Sequence, residues 1–266
     1  MKDTLDIPNN ITKNRYIAFL DIMGVKKLLG TEGVGKVYTL YSEINDMTNV
    51  YKDRLIINYY SDSIMAATAD ESTDGYEALV LFCARIEAFC IKKGYAVNGA
   101  ISYGNITIDK DRNIWLGEPL SSVYELQSKL FFYGIVLDEK AYEKVKDIIL
   151  PIAVNLTIPD IVTGMIIPIK KEGWKEMPCI NWFEFVSETI GKENPYQDQI
   201  APMRKYVKAL YEKYKDAGGG YFYISNTEMV LKKWYDFLGE KNGSIKWGNL
   251  ILEDYLTGRT YNDVLI

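Results

Sequence analysis

The run Arg15-Tyr16-Ile17-Ala18-Phe19-Leu20-Asp21-Ile22-Met23-Gly24 sets the terms for the rest of the chain. Its apolar residues are nearly continuous, the pattern of a buried strand. One carboxylate, Asp21, interrupts it between Leu20 and Ile22, where a buried charge without a partner is costly. Something positive is therefore expected against Asp21, and Gly24 ends the strand just beyond it.

A second strand-like run, Leu55 to Thr68, is broken in the middle by Tyr60-Ser61-Asp62-Ser63, which predicts a hairpin carrying Asp62 at its turn. Alone, Asp62 would be an ordinary turn former. Paired with Asp21 it becomes a second hard oxygen ligand at a strand end, the kind of donor used for a magnesium ion bound to nucleotide phosphate. Two such ions, Mg2+ or Mn2+, could activate a ribose hydroxyl and neutralise a leaving pyrophosphate.

Composition narrows the chemistry further. The chain has no histidine, which removes Ser-His-Asp, Cys-His and histidine-metal chemistry together. Cys83, Cys90 and Cys179 show no paired metal spacing, and their odd number suits a reducing compartment; Cys83 and Cys90, seven apart on an apolar helix face, read as core thiols. A net charge of −5 argues against a nucleic-acid surface or a polybasic membrane contact. Met1 to Lys13 lacks the apolar centre of a signal peptide, and no run reaches the roughly 18 to 20 apolar residues of a membrane span. The expectation is a cytoplasmic protein. At 266 residues and 48% hydrophobic content, a large core is available.

Along the chain, Val25 to Leu29 starts a helical turn, and Val34, Val37, Tyr38, Tyr41, Ile44 and Met47 mark an amphipathic helix. After the hairpin, Leu79, Phe82, Cys83, Ile86, Phe89 and Cys90 mark another, closed by Lys92-Lys93-Gly94. Tyr95 to Tyr103 reads as a strand, with Gly99 admitting a close approach. Ile106–Ile108 and Asn113–Leu116 bracket a further hairpin turn. Gly117-Glu118-Pro119 opens a helix to Leu130, with proline in its tolerated first turn, and Gly134–Leu137 is a short strand. Met165–Ile169 and Ile180–Val186 look strand-like. From Asn194 the character is helical: Ile200, Met203, Val207, Leu210 and Tyr214 keep helical spacing, and Gly218-Gly219-Gly220 precedes a second helix through Val230, Trp234 and Phe237. The fold expected is α+β, an antiparallel-rich sheet with helices on one face and a helical C-terminal extension. Residues 12–190 form the first part and 191–266 the extension, a support or dimer element.

Four motifs stand in order: Phe19-Leu20-Asp21-Ile22-Met23-Gly24, Tyr60-Ser61-Asp62-Ser63-Ile64-Met65, Gly99-Ala100-Ile101-Ser102-Tyr103-Gly104, and Gly117-Glu118-Pro119-Leu120 leading into Val123-Tyr124-Glu125-Leu126. Together they resemble the class III nucleotidyl cyclase homology domain with its ferredoxin-like core, and more narrowly the pyrimidine cyclases of the Pycsar antiphage systems, over roughly residues 15 to 138. The resemblance implies a homodimer with composite active sites. It makes Asp21, Asp62 and the Ile22 carbonyl the ligands of two Mg2+ or Mn2+ ions, and Ile22, Met23, Gly24 and Val25 the segment that wraps a nucleoside triphosphate. The product would be a 3′,5′-cyclic monophosphate, made as an alarm signal in antiphage defence.

The departures bear on substrate and rate. Purine cyclases of this class commonly carry Asn-x-x-x-Arg on the helix after the glycine motifs, and Ser121 and Glu125 stand at the matching positions. The adenine-reading lysine corresponds to Asn58, and its aspartate partner falls near Ile114. A smaller base, read by Asn58, Tyr60 or Asn98, is the alternative these residues allow, which favours CTP or UTP. Cations that could offset developing phosphate charge are Lys26 and Lys27 after Gly24, Arg85, and Lys129; each is also an ordinary helix surface residue, and Lys129 could simply pair with Glu125. A purine cyclase and a catalytically silent, nucleotide-binding dimer stay open beside the pyrimidine cyclase. Gly30-Thr31-Glu32-Gly33-Val34-Gly35-Lys36-Val37 imitates a phosphate-binding P-loop, but Val37 replaces the metal-binding hydroxyl and no strand precedes it directly.

Overall fold

The computed structural model describes residues 11–146, 162–182, 195–215 and 220–242. One mixed, mostly antiparallel sheet of eight strands organises them. The strands are β1 (Thr12–Ile22), β2 (Leu55–Tyr60), β3 (Ser63–Thr68), β4 (Val97–Asp109), β5 (Ile114–Leu116), β6 (Gly134–Leu137), β7 (Val162–Ile169) and β8 (Gly173–Ile180). Their spatial order is β2-β3-β1-β4-β6-β8-β7, with β5 paired to β4; β4 and β6 run parallel. The helices are α1 (Val25–Thr31), α2 (Val34–Thr48), α3 (Thr73–Lys92), α4 (Glu118–Lys129), α5 (Glu139–Val145), α6 (Pro195–Tyr214) and α7 (Gly220–Asn242). The architecture is the α+β class expected. Among the described residues no helix is long and apolar enough to cross a membrane.

Local chemistry explains the element ends. The hairpin turns at Ser61, whose φ of 55° lies in the left-handed region. Ser72 caps α3, its hydroxyl accepting from the Gly75 N–H at 3.1 Å, and Asp138 caps α5 through the Ala141 N–H at 2.8 Å. Gly94, at φ 77°, ends α3 as its Lys-Lys-Gly sequence suggests. The P-loop imitation is a junction between α1 and α2, with Gly33 at φ 81° between them. Cys83, Cys90 and Cys179 are free and buried, and burial pushes all three thiols up.

Three expectations change. β4 is one continuous strand from Val97 to Asp109, because Val97 to Thr107 pairs with β1 without a break, and its end forms the expected hairpin with β5, Ile108 opposite Trp115. The strand near Ile180 precedes that residue: β8 is Gly173–Ile180, paired with β7 from Ile169↔Gly173 to Val162↔Ile180; residues 183–186 lie outside the described residues. Helices cover both faces of the sheet near β1. Alternate residues along a strand point to opposite faces. Tyr16 packs on Tyr76 of α3, ring centroids 5.1 Å apart, whereas Phe19 meets Tyr124 of α4 edge-on at 5.8 Å. The three-residue offset places α3 and α4 on opposite sides.

The helical spacing of α6 is realised in its burial: Ile200, Met203, Val207, Leu210 and Tyr214 are all buried. In α7, Val230 and Trp234 are buried while Phe237 is 44% exposed. The boundary placed at residues 190 and 191, and Gly218 and Gly219, lie outside the described residues.

Candidate nucleotide and metal site

Pairing fixes what surrounds Asp21. Across the sheet, Asp21 stands opposite Ser63 on one side and Asn98 on the other, and Ser63 stands opposite Tyr60. Paired residues share a face, so Tyr60, Ser63, Asp21 and Asn98 form one cross-strand row. The row beside it, two residues back along β1, is Asn58, Met65, Phe19 and Ala100. On the opposite face Leu20, Ile22, Ile64 and Ala66 are fully buried. On the row face Phe19, Asp21, Ser63, Met65 and Asn58 are only half-buried, and Tyr60 is exposed. This side of the rim is the open one.

Asp62 joins Asp21 there. The Ile22 N–H donates to the Asp62 carbonyl at 2.8 Å, locking the hairpin turn against the end of β1. Burial, reinforced by the negative charge of Asp62, pushes the Asp21 carboxyl up to about 6. No cation contributes to that environment. The charge that bears on Asp21 is thus one of the same sign.

Arg85 sits over the Tyr51 ring at 5.4 Å, as does Arg54 at 5.6 Å. Lys26 and Lys129 are exposed, as are Ser121 and Glu125. Among the described residues Glu125 and Lys129 form no ion pair.

The triphosphate-wrapping segment is partly spoken for. The Ile22 N–H is bonded to Asp62, and the Met23 N–H donates to the Ala96 carbonyl at 2.9 Å. Backbone contacts to a phosphate would fall to Gly24 and Val25. Gly24 adopts φ 88°, the conformation that favours glycine. Gly99, by contrast, serves the core: a Cβ there would lie 2.6 Å from Leu20 Cδ2 and 2.8 Å from the Phe19 carbonyl oxygen.

Of the base-reading candidates, Asn58 donates its amide to Asn113 Oδ1 at 3.0 Å, and Asn113 adjoins Ile114, the other position expected to face a base. The structure thus brings those two places together through a residue that no motif marked. Asn98 is 5% exposed and donates to the Phe132 carbonyl at 3.0 Å; its Oδ1 is buried with no partner. It stands beside Asp21 in the same row, largely closed off from solvent.

Three tyrosines were not legible as site residues. Tyr41 of α2 donates its hydroxyl to the Ser61 carbonyl at 2.8 Å, fixing the hairpin turn. Burial, then Asp62, raises that hydroxyl strongly. The Tyr133 hydroxyl donates to the Met23 thioether, and Tyr214 of α6 donates to the Met23 carbonyl at 3.2 Å. In a chain with 21 tyrosines, only helical spacing singled out Tyr41 and Tyr214, and it marked them as core.

A divalent metal fits these residues. Among the described residues no group of three or more His, Cys, Asp and Glu side chains converges, so a cation here would have two carboxylates and otherwise neutral oxygens. That is a magnesium-like donor set, completed by water and substrate phosphate, and the orphaned Asn98 oxygen lies in the same row.

No family model and no curated protein matches the sequence. Among solved structures, the chain is similar to the guanylate cyclase domain of RhGC from Catenaria anguillulae in complex with GTP, at 13% identity and a TM-score of 0.46 over 64% of this chain and 96% of that one. It is similar to the adenylyl cyclase CyaB from P. aeruginosa at 15% identity and a TM-score of 0.42, over 64% and 95%. A bacterial light-regulated adenylyl cyclase aligns at 12% identity and a TM-score of 0.45, over 73% and 98%.

Proposed function

We propose that this protein is a divalent-metal-dependent nucleotidyl cyclase that closes a pyrimidine ribonucleoside triphosphate, CTP or UTP, to its 3′,5′-cyclic monophosphate with release of pyrophosphate, as a signal in antiphage defence. The observation that carries the reading is the meeting of Asp21 and Asp62 at a half-open rim, where the Ile22 N–H holds the Asp62 carbonyl and the Asp62 charge bears on the Asp21 carboxyl. Bound Mg2+ or Mn2+ would supply the positive charge that lowers the cost of a developing alkoxide and of the departing phosphates.

The chain's own residues do the rest. Asp21 and Asp62 hold the metal-bearing triphosphate, with the Ile22 carbonyl beside them. Gly24 and Val25 offer N–H groups to its oxygens, and Lys26 follows at the surface. The Asn58–Asn113 amide pair presents donors and acceptors to the edge of a base, replacing a charged lysine–aspartate pair. Tyr60 and the half-buried row of Asn58, Met65 and Phe19 face outward, where a second copy of the chain would close the site as a homodimer.

One observation favours a second reading, a silent nucleotide-binding dimer. None of the four arginines of the sheet and its flanking elements accompanies Asp21: Arg15 is engaged at the far end of β1, Arg54 and Arg85 lie over Tyr51, and Arg112 pairs with Asp109 at 2.6 Å. The deciding experiment incubates the purified chain with Mn2+ and each of the four ribonucleoside triphosphates and identifies any cyclic product by mass spectrometry. Cyclic CMP or cyclic UMP is expected. A purine product would move the substrate class, and nucleotide binding without any product would establish the silent module. Full turnover by Asp62→Asn would remove the metal assignment.

A further inference from the structure

The C-terminal helices, expected to be support, reach the turn that ends β1. Tyr214, 1% exposed, donates to the Met23 carbonyl at 3.2 Å, and its hydroxyl lies 3.5 Å from the Gly94 carbonyl. Its neighbour Lys213 donates to Gly94 at 2.8 Å and covers the Tyr95 ring at 3.7 Å. A Cβ on Gly24 would lie 2.6 Å from the Tyr214 hydroxyl, so this glycine is required by contact as well as by its φ of 88°. Met23 is held on its other flank: the first residue of α7, Gly220, sits so that a Cβ there would be 2.9 Å from Met23 Cε. Tyr133, which donates to Met23, is stacked on Tyr223 of α7 at 5.4 Å, and its backbone N–H donates to the Thr227 hydroxyl at 2.7 Å.

The consequence follows from peptide geometry. No peptide in the described chain is cis, and in a trans peptide the carbonyl and the following N–H point in opposite directions. By holding the Met23 carbonyl, Tyr214 aims the Gly24 N–H away from α6. With the Ile22 and Met23 N–H groups already bonded, Gly24 is the first backbone donor this turn can offer an anion.

We infer that Tyr214 is a positioning residue for phosphate binding: α6 orients the Gly24 N–H of the turn after β1, and the C-terminal helices are part of the site's frame. This rests on the reading of that turn as a triphosphate contact, so its test does not depend on turnover. The full-length chain and two variants are titrated calorimetrically with inorganic tripolyphosphate in the presence of Mn2+. Tyr214→Phe keeps the ring and removes the hydroxyl; it should bind tripolyphosphate about five- to tenfold more weakly, the worth of one oriented hydrogen bond. Asn226→Ala removes another anchor of the extension, the Asn226 amide on the Phe131 carbonyl at 2.7 Å, and should leave binding unchanged while lowering the melting temperature. Tight binding by Tyr214→Phe overturns the inference, as does equal weakening by Asn226→Ala, which would mean that docking of the helices is all that matters. If the wild-type chain binds no tripolyphosphate, the inference also falls. If it binds tripolyphosphate but cyclises no nucleotide, the cyclase reading fails while the comparison of the variants still decides the role of Tyr214.

Discussion

Arg15 and Asp21 sit six residues apart on β1, about 20 Å along the strand and on the same face, and the chain treats them in opposite ways. Arg15 is 4% exposed, and its guanidinium donates to the Thr68 carbonyl at 2.6 Å and to the Ala69 carbonyl. Burial lowers its pKa, and the charge of Asp70 opposes that. Asp21 has a second carboxylate for company and no described cation, and it is raised to about 6. A buried charge whose partners lie in its own chain is a structural element. A half-buried charge beside one of the same sign is the setting that the proposed metal would complete.

The comparison can be broken in several ways. The largest effect belongs to Asp21→Asn. Losing one of the two carboxylates proposed to hold the metal should cut cyclase turnover by about a hundredfold or more, while the metal-free protein keeps or gains thermal stability because the repulsion from Asp62 is gone. Turnover assays beside thermal melts check both parts, and a large stability loss would make Asp21 structural after all. Arg15→Met should do the reverse, destabilising the fold by about 3 kcal/mol through two orphaned carbonyls, read from denaturant midpoints.

Glu87, on the buried side of α3, is a third case: it is 2% exposed, and neither carboxylate oxygen has a partner in the described structure. Burial raises it well above its usual value near 4.5. The folded chain therefore keeps a proton that the unfolded chain releases above pH 4.5, so stability from this group is greatest below that pH and falls as pH rises toward the folded-state value. Glu87→Gln should flatten the curve, exceeding the wild type by about 1 kcal/mol or more at pH 8 and matching it near pH 4. Equal pH dependence in the two proteins would show that Glu87 is solvated. The smallest effect is expected from Tyr41→Phe, about 1 kcal/mol from the lost bond to Ser61, seen as faster hydrogen exchange at the hairpin turn.

Much of this was legible because it depends on short-range pattern. The continuous apolar run of β1, the hairpin turn at Ser61-Asp62, the Pro119 and Gly94 helix boundaries and the buried stripe of α6 each follow from residue type and spacing within one element. The long β4 was misread because a strand's length is set by its partner: β1 stays paired through Gly104, where sequence suggests an end. α4 was placed with the other helices for the same kind of reason, since which face a helix covers is decided by the strands it crosses. Asn113 and Tyr133 were missed as site residues because each acts through a residue distant in sequence, Asn58 and Met23 respectively.

Residue order alone established that a carboxylate would be trapped at the end of a buried strand, that a second would stand at a hairpin turn, and that histidine chemistry was excluded. Those conclusions need only local burial and composition. Tertiary structure alone decided that Asp62 bears on Asp21 at one rim, that the Ile22 and Met23 N–H groups are consumed in holding it, and that a tyrosine 191 residues further along bonds the Met23 carbonyl. Such facts depend on which backbone groups remain unpaired once every strand has found its neighbour, and that accounting is complete only in the folded chain.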